Sequence, residues 1–150
     1  MNSSVRFNCA NIFDQALALK SKLRLKLTYK LTAMLFYKGV TLEIVQTPDA
    51  TECWKEVFVN APPNCVAQLL RLAKRLADSG KLRSPDQFNN EDDGFWAIKA
   101  NCGLRAYGWY HSSRRGVFVI SHFILKKKQK LSPSDTERMR QNRRQYDPDY

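Results

Sequence analysis

The sequence predicts an α+β fold, a small twisted antiparallel sheet with an N-terminal helix pair before it and a short C-terminal helix after it. Three observations carry this. The apolar runs 95–100, 104–111 and 117–125 have the length and composition of strands, and Ser112-Ser113-Arg114-Arg115-Gly116 joins the last two as a hairpin loop. Ahead of them Val66, Leu69, Leu70, Ala73, Leu76 and Ala77 recur at helical spacing. After them Ser132-Pro133 opens a helix with Asp135 and Glu137 in its first turn, where the helix dipole favours acids.

Taken in order, the chain begins with a basic N-terminal extension, 1–33, set apart from a domain over 34–150. From Leu19 to Leu31 the odd positions are mostly apolar and the even ones mostly basic. That is the period of a half-buried strand with a cationic outer face. The same pattern suits an arm lying on RNA or at an interface, and a start at Met34 would remove the segment altogether. A secretory signal is disfavoured, because no continuous apolar stretch and no small-residue cleavage site follow.

Residues 42–46 read as a first strand. Thr47 is placed to cap a helix with Pro48 at its first position, burying Cys53, Trp54, Val57 and Phe58. Pro62-Pro63 ends that helix. Asn64 is expected to cap the next, and Gly80 to close it in the left-handed conformation, with Arg71, Lys74 and Arg75 on a solvated face. The polar segment 81–93 reads as a loop whose Glu91-Asp92-Asp93 form a solvated turn. Val117-Phe118-Val119-Ile120 is apolar on both faces, which suits a central strand. Alternation along 104–111 puts Arg105, Tyr107 and Trp109 on one face, expected to be open, and Leu104, Ala106 and Tyr110 on the other. The last helix has Met139 as its one large apolar residue before Tyr146, so it belongs on the periphery.

A chain of 150 residues with 43% apolar content is most simply one domain with a real core. Its net charge of +11 calls for a polyanionic partner or a membrane surface. The stretch from Gly94 to Ser134 carries Lys99, Arg105, Arg114, Arg115, Lys126, Lys127, Lys128 and Lys130 with no Asp or Glu, and it holds both histidines. Unopposed cations beside aromatic rings suit phosphates and unstacked bases, so this face is read as RNA-directed. Cys9, Cys53, Cys65 and Cys102 are scattered without a CxxC pair, so free thiols in a reducing cytosol are expected rather than zinc ligation or a disulfide. No apolar run approaches the roughly 20 residues that cross a bilayer, so a soluble protein without membrane attachment is expected.

Three motifs bear a family resemblance. Asp93-Gly94-Phe95-Trp96-Ala97-Ile98-Lys99, Gly103-Leu104-Arg105-Ala106-Tyr107 and the gapless Ile120-Ser121-His122-Phe123-Ile124-Leu125-Lys126-Lys127-Lys128-Gln129-Lys130 are similar to three strand motifs of the RelE/ParE superfamily of toxin–antitoxin toxins. The chain resembles most its HigB-like, phage-derived branch, over residues 40–146. Two positions depart from the pattern. Ala97 stands where the family usually has Glu, and Ile124 where it usually has Phe.

The resemblance implies a RelE-like fold and a cytoplasmic toxin of a type II system, an mRNA interferase that cleaves translated message on the ribosome. It implies as partners the ribosome, its mRNA and a cognate antitoxin, commonly a helix-turn-helix DNA-binding protein. No cofactor or metal is needed. Attack of a ribose 2′-hydroxyl on its phosphate needs the developing charge stabilised and protons moved. Arg105, Lys126 and Lys127 are the candidates for the charge, and His122, His111 or Tyr146 for the protons. Lys99, Tyr107, Trp109, Arg114, Lys128 and Lys130 are the candidate RNA contacts, the rings as stacking platforms. Each has a plainer reading, above all His122 as a hydrogen-bonded core histidine. Two other functions fit the same sequence: a toxin of this fold aimed at a protein such as gyrase, and a noncatalytic RNA-binding module.

Overall fold

A computed structural model of the chain describes residues 33–126 and 130–150. The extension 1–33, Ala33 apart, lies outside the described residues, as do Lys127 and Lys128 among the candidate site residues. The elements are β1 (Met34–Lys38), β2 (Glu43–Gln46), α1 (Pro48–Asn60), α2 (Pro63–Ser79), β3 (Phe88–Asn90), β4 (Phe95–Lys99), β5 (Leu104–Tyr110), β6 (Val117–Leu125) and α3 (Pro133–Tyr146). Six strands form one sheet in the order β1-β2-β6-β5-β4-β3. The α+β class and the order of helix pair, sheet and final helix hold.

The sheet is larger than expected and not purely antiparallel. The pair β2–β6 is parallel, because the chain leaves β2 through two helices rather than a hairpin. The strands β1 and β3 escaped the sequence reading, since each is short and takes its conformation from its neighbour. β6 lies between β2 and β5, in keeping with its apolar character on both faces.

Helices α1 and α2 cover one face of the sheet. The Thr47 hydroxyl accepts from the Ala50 N–H at 3.1 Å and Pro48 fills the first turn of α1. Asn64 is not the cap of α2. Pro62 holds that position and Pro63 starts the helix, which ends at Gly80 with φ +70°. Val66, Leu69, Ala73, Leu76 and Ala77 are buried with Cys65 and Leu72, and pack on Ile44, Ile98, Leu104, Phe118 and Ile120. Leu70 is half-buried and packs against this core, whereas Phe58 is 55% exposed and does not belong to it as expected.

The opposite face is not open. Helix α3 lies over it, and Tyr107 and Trp109 are fully buried with Val45, Phe95, Ala97, Val119 and Met139. An apolar stripe of one methionine cannot hold a helix there, and ion pairs supply the rest. Arg138 grips Asp49 with two bonds of 2.7 and 2.5 Å. Arg140 and Arg143 pair with Asp93 at 3.0 and 3.4 Å, so this member of the acid cluster, exposed as expected, also anchors a helix. The Arg143 guanidinium also stacks between the Phe95 and Tyr150 rings, 4.1 and 3.9 Å from their centres.

One irregularity decides what faces α3. Tyr107 pairs with His122 but Gly108 pairs with Ile120, leaving Ser121 as an extra residue, a β-bulge. Without it His122 would share the face of Phe118 and Ile120. With it, His122 and Ile124 turn towards α3. The Ser121 carbonyl accepts from the Thr47 hydroxyl at 2.7 Å and from Asn142 Nδ2 at 3.2 Å. Asn142 Nδ2 also reaches Ser121 Oγ and Asp49 Oδ2, both at 2.9 Å.

The cysteines correct a further expectation. Cys65 on α2 and Cys102 in the β4–β5 turn form a disulfide with Cα atoms 5.9 Å apart. They are 37 residues apart in sequence, and only the packing of α2 on the sheet brings them together. Among the described residues no helix is long and apolar enough to cross a membrane.

Asn142→Ala removes the donor shared by the bulge and Asp49 and leaves buried acceptors unmatched. Its expected effect is a loss of about 2 kcal/mol of stability. A lowered urea midpoint with an unchanged denaturant slope would show it.

Candidate nucleic-acid interface

Lys99 on β4 and Arg105 on β5 are directly opposite each other, and Arg105 is opposite Ile124 on β6. Strand alternation puts all three on the α3 side. Like charges on facing positions of an antiparallel pair repel each other. Next to them lies a cleft of about 810 Å³ whose wall includes Arg83, Lys99, Arg105 and Lys126, with Asp86 its one acid among the described residues. The β4–β5 turn, residues 100–103, forms another part of the wall.

The Tyr107 side chain organises two of these cations. Arg105 is 6% exposed and donates from Nη1 to the Tyr107 hydroxyl at 3.3 Å. The Lys126 ammonium sits 5.5 Å over the Tyr107 ring and bonds Asp135 Oδ2 at 2.5 Å. Burial pushes the Asp135 carboxyl up, but hydrogen bonds from Lys126 and Ser132 outweigh it, and its pKa lies below the ordinary value. Asp135 is thus an ionised anchor for Lys126 at neutral pH.

His122 lies behind this pair, fully buried. Its Nε2 is 3.4 Å from Asp135 Oδ1 and its Nδ1 is 3.1 Å from Ser121 Oγ. Burial, helped by the nearby Arg138 charge, lowers its pKa from 6.5 to about 4. An ionised carboxylate only accepts, so the neutral ring that fits donates from Nε2 to Asp135 and accepts at Nδ1 from the Ser121 hydroxyl. A chain of bonds therefore runs from Asp49 through Asn142, Ser121 and His122 to Asp135 and Lys126. Burial likewise raises Asp49, but the Arg138 and Asn142 bonds bring its pKa below the ordinary value.

The structure joins some of the candidates and separates others. Lys99, Arg105 and Lys126 share the cleft. Lys130 is exposed and linked to it through its carbonyl, which Lys126 Nζ reaches at 3.4 Å. Tyr107 and Trp109 are no stacking platforms, because α3 covers both rings. Tyr107 orients cations instead, and Trp109 donates to Asp147 at 3.2 Å. Arg114 is exposed in the β5–β6 loop, at the far end of the strands from the cleft, and His111 beside it faces Asp147 at 3.6 Å. Tyr146 ends α3, roughly 16 Å of helix rise beyond Asp135. Burial, then the Asp49 charge, raises its pKa. His122 meets the site through Asp135 and through the Tyr107 ring, 5.4 Å away centre to centre.

Sequence reasoning missed Arg83, Asp86 and Asp135. The first two sit in an irregular segment without a period to read. Asp135 was visible as a first-turn acid, but not as the partner of a lysine on another element.

The depressed His122 pKa has a signed consequence. Folding favours the neutral ring, so its contribution is complete above pH 6.5 and is lost as pH falls towards 4. The loss amounts to about 3 kcal/mol across that window. Asp49 and Asp135, lowered from 3.8, lose theirs only at still lower pH. A His122→Gln variant should therefore show a flatter stability profile between pH 6.5 and 4 in denaturant titrations.

Neither a scan against protein-family models nor a search of curated proteins finds a match to this chain.

Proposed function

We propose that the chain is a cytoplasmic toxin of the RelE/ParE type, a metal-independent endoribonuclease acting on ribosome-bound mRNA and silenced by a cognate antitoxin. The observation that supports it is the shared cleft of Lys99, Arg105 and Lys126. In the reaction, the ribose 2′-oxygen bonds to phosphorus and the bond to the 5′-oxygen breaks, giving a cyclic phosphate and a free 5′-hydroxyl. Arg105 and Lys126 are fixed cations for the charge that builds on the phosphorane oxygens. Lys99 is an ammonium donor for the departing 5′-oxygen. Asp86, the one carboxylate on the cleft wall among the described residues, takes the 2′-hydroxyl proton in this scheme.

One observation favours a second reading, a noncatalytic RNA-binding module. The histidine chosen as proton carrier is buried, and Lys126 already neutralises Asp135. Primer extension on translating ribosomes separates the two. The nuclease gives codon-linked cuts, reduced by roughly 100-fold in Arg105→Ala and in Lys99→Ala with the circular dichroism spectrum unchanged. RNA binding without cuts would overturn the nuclease and leave the module. Tyr146→Phe, remote from the cleft, should cut at the wild-type rate in the same assay.

A further inference from the structure

We propose that Cys65 and Cys102 form a thiol–disulfide switch that fixes or frees the wall of the cationic cleft, an inference that rests on reading that cleft as the RNA site. The bond joins a buried cysteine, Cys65, to an exposed one, Cys102. Its outer half lies in the turn between Lys99 and Arg105, the two facing cations. The Gly103 carbonyl of the same turn accepts from the Lys126 N–H at 2.9 Å. The turn is therefore covalently or hydrogen-bonded next to all three cations.

Its conformation is specific. Gly103 has φ +94°, where L side chains are strained, and a Cβ there would run into the Lys126 carbonyl. Besides the disulfide, a hydrogen bond from the Asn101 N–H to Gln68 Oε1 at 3.1 Å ties the turn to α2. That bond is solvent-exposed, so the disulfide is the stronger tether. Disulfides in a cytosol are mostly transient and redox-sensing, which suits a switch better than a permanent staple.

The exchange balances with a dithiol as reductant. One thiolate of the reductant attacks Sγ of Cys102, the more exposed of the two residues, and the Cys65–Cys102 bond breaks. Cys65 leaves as a thiolate in the first turn of α2, where the helix dipole favours negative charge, and then takes a proton. The second thiol of the reductant closes its own disulfide and releases Cys102 as a thiol. Two electrons and two protons pass to the protein. The oxidised form holds the turn on α2 and keeps the three cations converged; the reduced form lets the turn open and weakens RNA binding.

The test combines amide hydrogen exchange with binding of a short single-stranded RNA, on protein oxidised with glutathione disulfide or reduced with dithiothreitol. Peptide mapping should find the Cys65–Cys102 linkage in the oxidised sample. Exchange at Asn101, Gly103 and Lys126 should rise by roughly tenfold on reduction. In Cys102→Ser it should be high with or without dithiothreitol, and RNA affinity should fall several-fold in parallel. Absence of the linked peptide after oxidation, or unchanged exchange once the bond is cut, overturns the switch. If exchange responds but neither form binds RNA, the switch stands as a property of the turn and the RNA reading is what fails.

Discussion

The unpaired carbonyl of Ser121, held between the Thr47 hydroxyl and the Asn142 amide, joins three elements that are distant in sequence. The bulge at Ser121 leaves a carbonyl outside the strand ladder, and a buried carbonyl without donors is unfavourable by a few kcal/mol. Thr47 already caps α1 and Asn142 already bonds Asp49, so each meets two requirements. The extra residue sets which of the later β6 side chains face α3. It turns His122 towards Asp135, Asp135 towards Lys126, and Ile124 into register beside Arg105.

The same face shows how a strongly basic chain stays folded. All four arginines of α3 meet acids: Arg138 meets Asp49, Arg140 and Arg143 meet Asp93, and Arg144 meets Glu137. The half-buried, bidentate Arg138–Asp49 pair is the one with geometry good enough to matter for stability. Around the cleft the balance is different. Lys99 and Arg105 face each other on adjacent strands, and Arg83 joins them, with Asp86 as the one acid on the wall among the described residues. A phosphate entering there would meet cations already held close together, so less ordering is needed on binding.

The β4–β5 turn connects this charge to thiol chemistry. A cleft wall made of four residues between two strands is a local device, and its position depends on what tethers it. Here the tether is covalent, and its outer residue, Cys102, is exposed. The fold thus places a disulfide beside the cations of the cleft.

The amphipathic stripe of α2, the Thr47-Pro48 and Ser132-Pro133 helix starts, the Gly80 stop and the span of β6 were all legible in the sequence. Each depends on contacts within a few residues, where spacing and capping chemistry dominate. So was the division of Arg105, Tyr107 and Trp109 from Leu104, Ala106 and Tyr110, because alternation along one strand is local. The burial of Tyr107 and Trp109 was not legible, since it depends on α3 docking through ion pairs that no hydrophobic period announces. Nor were the parallel β2–β6 pair, the Ser121 bulge and the Cys65–Cys102 bond. Each needs partners brought together from afar, and a one-residue bulge reverses every later side chain without leaving a mark in the composition.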